Sequence, residues 1–443
     1  MRRPKKIIDD FKDNIKHDVI EFAQKLPTFK QNPNKEIKTF EQKAISNKFL
    51  DRKRVIIFSS MCVLAIILII ITVTFVTNVN VGTIVITVAE IRNHTNGIIA
   101  GWILLLILSS IIRVIWQIES IRMRYKHYLN NVKVREWINF GIITIFINSI
   151  TIFALGSDPY KIWWMSKKGL RLSQATAIIL SSGWVIQLTQ MLLSYPSLGY
   201  LIYMYFYNQP LFAHTYETNI SMGLVCAGYC NDVLVFCALT ILGYNLKLQF
   251  TIARIFNWIR KKIGMNYKSK EVLEEEFIAK SKFQKNFMKE IRCFEANFYV
   301  AFWTLFALLM YYFSMFFALE LVVPYYPDER VKIVNDSFWN TYNFANVATV
   351  ANNFIPIPGG EGTLQFVLIS FFNSTTNKLA IPKDWDVSKT IKQTVFLWRV
   401  FNYYLIIIFG SFYVLIVGIK ILIQKNKKRQ ELIKFGWFQI RNS

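Results

Sequence analysis

After residue 54 the apolar positions of this chain come mostly in unbroken runs, not in the alternation of a half-buried strand or the one-sided stripe of a soluble helix. Crossing about 30 Å of hydrocarbon takes roughly 20 residues of helix, and the runs at 55–77, 98–117, 219–246, 298–323 and 393–424 have that length. A longer apolar stretch at 174–207, interrupted by Pro196, fits either one tilted crossing or a helical hairpin. Two more, 138–172 and 338–372, are broken near the middle, the first by Gly156 and Pro159, the second by Pro356, Pro358, Gly359, Gly360 and Gly362. Proline removes a backbone donor and glycine permits positive φ, so neither stretch continues as one helix. Non-helical backbone at membrane depth persists only where it is buried in protein or lines a water-filled cavity. Broken segments in matching places of two halves point to a binding site in transporters. The pattern predicts an all-α polytopic membrane protein with about six crossing helices and two opposed re-entrant helical hairpins, the arrangement of an inverted repeat.

The polar segments divide the chain into a basic arm (1–54), a first membrane half (55–246), a charged linker (247–297), a second membrane half (298–424) and a basic tail (425–443). In the arm, Ile7, Ile8, Phe11, Ile15, Val19, Phe22 and Leu26 recur at roughly helical spacing, which leaves open both an amphipathic surface helix and an unstructured arm. The arm is far too long for the charged region of a signal peptide, so no cleavage is expected. If both broken segments return to their own side, the regions 1–54, 118–136, 156–173, 247–297 and 420–443 share one face and carry about 43 of the 52 Lys and Arg residues, against about seven on the other. That bias makes the richer face cytoplasmic and places both termini there.

Composition agrees with the pattern: 53% of residues are hydrophobic and 18% charged, against about a quarter charged in a globular domain. The net charge of +24 is accounted for by the inner-leaflet bias and by anionic lipids on that face, so no nucleic-acid partner is expected. The five cysteines, Cys62, Cys226, Cys230, Cys237 and Cys293, form no CxxC pair and have no histidine near them, so neither disulfide nor metal site is expected. Cys226 and Cys230 share a helical face and read as packing inside the protein. No nucleotide loop or Ser/His/Asp pattern occurs and the four histidines lie outside the clear spans, so the sequence suggests neither a cofactor nor an enzyme.

Two constellations and three isolated charges carry the candidate chemistry. In the first break, Asp158, Tyr160 and Lys161, followed by Lys167, Lys168 and Arg171, place cations at the mouth of a hairpin, where they could hold a lipid phosphate through charge-assisted hydrogen bonds. Simple anchoring to anionic lipids by Lys167, Lys168 and Arg171 is the alternative. In the second break, Pro358, Gly359, Gly360, Glu361 and Gly362 leave backbone groups free, and the helix restarting after Gly362 directs its positive end into the gap. Asp232 at mid-span, Glu320 near an outer end and Arg399 two turns into the last span each carry a charge costing roughly 2.5–3.5 kcal/mol at membrane depth. Glu361 and Arg399 are expected to compensate each other in one polar site. Arg113 lies near enough to the cytoplasmic end to snorkel and reads as structural.

These residues also resemble one known family. Asp158-Pro159-Tyr160-Lys161 leading to Lys168-Gly169 and Ala175 is similar to its glycine, acid, Pro, Tyr, basic pattern with a downstream Gly-x-x-x-x-x-Ala. Pro356-Ile357-Pro358-Gly359-Gly360-Glu361-Gly362 resembles its Pro-x-Pro-Gly-Gly-x-Gly signature, and Arg399 with Tyr403, Tyr404 and Gly410 resembles its closing helix. The family is the transmembrane region of the lysylphosphatidylglycerol synthases/flippases, and the resemblance runs from about 55 to 424. It implies a bacterial plasma-membrane flippase-like transporter moving a polar or aminoacylated phospholipid between leaflets. The chain departs from the family in having Gln365 where an acid is usual. Only 425–443 follow the last span, so the aminoacyltransferase domain of the full synthases, and with it lipid synthesis, is not expected. A lipid-modifying membrane enzyme using Asp232 or Glu361 as base, and a non-transporting scaffold, are the competing classes. The sequence leaves a homo-oligomer open.

Overall fold

A computed structural model describes residues 67, 96–126, 128, 132–151, 156–207, 212–244, 246–262, 283–322, 337–355, 357–376 and 387–417. The basic arm, the basic tail and, apart from Ile67, the run at 55–77 lie outside the described residues. Among the described residues all regular structure is helical. In chain order the helices are α1 (Asn96–Lys126), α2 (Val134–Ile150), α3 (Ser157–Lys167), α4 (Leu172–Phe206), α5 (Tyr216–Tyr244), α6 (Leu246–Lys262), α7 (Phe294–Val322), α8 (Ser337–Asn352), α9 (Thr363–Thr376) and α10 (Val387–Arg399). Helix α10 runs on through a π turn at Val400–Tyr404 to residue 417.

Five of these are long and apolar enough to cross a membrane: Ile99–Lys126, Leu172–Phe206, Tyr216–Ile241, Phe294–Val322 and Ser388–Val417. At 1.5 Å per residue even the 26 residues of the shortest exceed the roughly 30 Å needed. The protein is an all-α polytopic membrane protein. Helix α7 sits at the centre, packed along α1 and also against α4, α8 and α10. Outward-facing side chains stay apolar, as in Leu104 and Ile111 of α1, Phe298 and Phe302 of α7, and Phe409 and Phe412 beyond the π turn, as a lipid-facing surface requires.

The stretch at 174–207 is one crossing: α4 is continuous through Pro196. Side chains of neighbouring helices donate to the carbonyls beside that proline, Tyr229 Oη to Ser194 O at 2.6 Å and Asn346 Nδ2 to Leu193 O at 3.0 Å, which is how a membrane helix accommodates a breaker. The cysteine expectation is corrected. Cys226, Cys230 and Cys237 are exposed, because the buried face of α5 is the one carrying Val225, Gly228, Tyr229 and Asp232.

Both interrupted stretches form helical hairpins, α2 with α3 and α8 with α9. Their arms of 17, 11, 16 and 14 residues are each too short to cross alone. Contacts fix which end of the bundle each hairpin enters from. The base of the first lies beside the end of α1, where Tyr125 packs edge-on against Trp137 at 5.3 Å. Arg122 and Arg124 on that same turn bond Tyr299 at the start of α7 and Glu290 just before it. The base of the second lies at the other end, where Ala213 N between α4 and α5 donates to Ser374 O at 2.9 Å. The hairpins therefore enter from opposite ends.

Candidate functional site

The two tips meet. Helix α2 packs against the 3₁₀ turn Pro358–Gly360 of the second break, and Tyr403 of the π turn joins them, its hydroxyl donating to Ser149 O at 3.0 Å. Gly359 (φ 63°) lies so close to that ring that a Cβ would stand 2.0 Å from it, which is why no side chain fits here. Gly360 and Gly362 also have positive φ, and Gly360 faces the Asn352 side chain. Residues 357–362 therefore make a tight turn whose Gly359 carbonyl faces the last helix.

Arg399 occupies that turn. Its Nη2 donates to Gly359 O at 2.7 Å, its Nε donates to Glu361 Oε1 at 3.0 Å, and Nη2 contacts the same carboxylate oxygen. The guanidinium stacks over Tyr403, 4.2 Å from the ring centroid. Glu361 accepts two further bonds on Oε2, from Gln365 Nε2 at 2.7 Å and Tyr404 Oη at 3.2 Å, while Gln365 Oε1 accepts from Gly362 N at 2.8 Å. Both charges are 2% exposed. A buried ion pair holds only when remaining donors and acceptors are also satisfied, and here they are supplied by neighbours on the same two elements. Gln365 thus both caps the restarting helix and donates to the Glu361 carboxylate.

A second cation stands close by. Arg113 was expected to snorkel toward the membrane surface; instead its Nη1 donates to Asn402 O at 2.6 Å and its guanidinium lies 4.8 Å from the Tyr311 ring centroid. The π turn causes this. Its extra residue leaves carbonyls unpaired along the helix, and Ser110 Oγ takes Phe401 O at 2.7 Å as Arg113 takes Asn402 O. Arg113 thereby bonds the turn that directly follows Arg399, so two arginines and the carboxylate of Glu361 are gathered about this turn.

The first break is built differently. Helix α2 stops where Thr151 turns extended, and the Thr151 hydroxyl donates to Ile147 O at 2.7 Å and accepts from Gly156 N at 3.2 Å. Pro159 then falls in the first turn of α3, where a missing donor costs nothing. Asp158 pairs with Lys161 at 3.1 Å, and Tyr160 is buried against Phe140. Lys168 is held by Glu136 at 2.5 Å, and its hydrogen bond keeps the Glu136 carboxyl below the usual carboxylate range. Two of the four cations read from the sequence, Lys161 and Lys168, are thus paired within their own hairpin. Asp158, Tyr160 and Lys161 make no hydrogen bond or ion pair with the Arg399 site.

Asp232 is a third, separate place. Its Oδ1 accepts from Asn353 Nδ2 at 2.8 Å, at the start of the second break, and Asn231 Nδ2 donates to Asn353 O at 2.8 Å. Glu320 makes no ion pair with any described residue. Among the described residues no cluster of metal-ligating side chains occurs.

No family model matches the chain. No solved structure matches it either. The chain is similar to the uncharacterized protein MG306 of Mycoplasma genitalium, 29% identical over 83% of this chain and 90% of that one. It is also similar to the homologue of that protein in Mycoplasma pneumoniae, 28% identical over 81% and 87% respectively.

Proposed function

We propose that the protein moves a polar or aminoacylated phospholipid between the two leaflets of a bacterial plasma membrane, with both termini cytoplasmic. The observation that carries this reading is the meeting of two interrupted hairpins, entering from opposite ends, at a site of two arginines and one carboxylate. Broken helices at the midplane are how membrane transporters present backbone groups and charge to a substrate. The surplus cation suits a phosphate, which arginine binds through paired hydrogen bonds. The lipid tails would stay in the apolar surroundings while the head group passes between the tips. Lys167 and Arg171 at the base of the first hairpin, with the basic arm and tail, suit contact with anionic inner-leaflet lipids. The sequence resemblance to lipid flippases points the same way, and no bound cofactor is needed for such a step.

The experiment is reconstitution into liposomes carrying a trace of head-group-labelled phospholipid, followed by a membrane-impermeant quencher. The wild-type protein should make the inner-leaflet label reachable, and Arg399→Lys, which keeps the charge but loses the planar fork, should slow that by about tenfold or more. Quenching equal to that of protein-free liposomes would refute the reading. Chemical conversion of the lipid in place of movement would favour the enzyme class.

A further inference from the structure

Helix α5 grips the second hairpin with one face. Gly228 admits the last turn of α8 so closely that a Cβ would lie 2.3 Å from Val350 O. Asn231 and Asp232, three and four residues on, hold Asn353 from both sides, by its carbonyl and its amide. Asp232 is 2% exposed, yet only Oδ1 has a partner, while Oδ2 is buried without a hydrogen bond. The Gln187 side chain on α4 also faces this carboxylate, close enough to interact with it, but its amide nitrogen and Oδ2 stop short of hydrogen-bond geometry. The titratable groups around it are Tyr195 on α4 with Cys230 of α5 beside it, Tyr229 on α5, Tyr312 on α7, and Tyr342 on α8 near Tyr229. No Lys or Arg among the described residues pairs with it. An ionised carboxylate in such a place is uncompensated, whereas a neutral acid asks only for hydrogen-bond partners.

We propose that Asp232 is a proton-binding site and that the conformation described here is its protonated, closed state. Oδ2 carries the proton and Oδ1 keeps the bond from Asn353. Loss of the proton leaves a buried anion with no cation beside it, and hydrating it requires the start of the second break to part from α5. Proton release is thereby tied to opening of the hairpin. As a source of energy for lipid movement, this step rests on the function proposed above; as a proton site it does not.

Infrared difference spectra of the full-length protein, wild type minus Asp232→Asn, should show a protonated-carboxyl band near neutral pH that disappears as pH rises. Over the same pH range hydrogen exchange at 353–362, relative to that in α7, should speed up on the order of tenfold in wild type and stay flat in Asp232→Asn. Replacing Na⁺ by K⁺ should change neither readout. If Asp232→Asn does not fold, Asp232→Glu keeps the acid and shifts the band. Absence of a titrating band, the same pH-driven rise of exchange in Asp232→Asn as in wild type, or dependence on Na⁺ in place of pH would each overturn the proposal. Lipid movement measured in parallel should become independent of pH in Asp232→Asn. A wild-type protein that moves no lipid but shows the band and the exchange change would sink the transport reading and leave the proton site standing.

Discussion

Glu361→Gln and Arg399→Gln should each lower stability by about 3–5 kcal/mol, the loss typical when one partner of a buried ion pair is removed. The reason is local. Glu361→Gln leaves Arg399 buried with a single carbonyl, Gly359 O, as its hydrogen-bonded acceptor at full strength, and presents an amide to two donors, Gln365 Nε2 and Tyr404 Oη. Arg399→Gln leaves a carboxylate held only by those two neutral groups. In the double variant neither charge is stranded, so the combined loss should fall short of the sum by at least about 2 kcal/mol, a coupling of the size seen for residues in direct contact. Thermal unfolding in detergent of the four proteins completes the cycle. Strictly additive losses would mean that the pair does not hold the turn.

Gly359→Ala should be nearly as damaging for a different reason. The φ of 63° disfavours any side chain by about 1–2 kcal/mol, and the added methyl must enter the Tyr403 ring, which is fixed by its bond to Ser149. Overpacking of that kind adds about 1–3 kcal/mol. Gly362→Ala is the control, since its φ of 90° carries the backbone penalty but a Cβ there meets nothing within 4 Å. The difference in melting temperature between the two variants isolates the contact between the second hairpin and Tyr403. Equal losses would mean that Tyr403 yields freely and does not tie the tips together.

Much of the architecture is legible in the sequence because lipid imposes it: length of apolar run, breakers and the depth of charges are one-dimensional quantities. The five described crossings and the two broken hairpins follow from them, and so does the pairing of Glu361 with Arg399, which neither residue could forgo at that depth. What the sequence withholds is direction. Hydropathy gives the depth of Arg113 but not that its side chain turns inward to a π turn, whose partner carbonyl lies 289 residues away along the chain. The partners of Lys168 and Asp232 lie 32 and 121 residues away along the chain, so the cation cluster of the first hairpin read as open although Glu136 and Asp158 pair with two of its four cations. Gln365 was a nearer opportunity: four residues from Glu361 at a helix start, it lies where a side chain can reach back to the preceding turn.

The account depends first on two hairpins that enter from opposite faces and meet at Tyr403. The direct measurement places single cysteines, in a background lacking the five native ones, at position 167 in the base of the first hairpin and position 339 in the base of the second, both exposed. An impermeant thiol reagent applied to intact cells should leave the cysteine at 167 unlabelled and label the one at 339, with the pattern reversed in inside-out vesicles. Labelling of both positions from the same side would contradict opposed hairpins and with them the path between the leaflets.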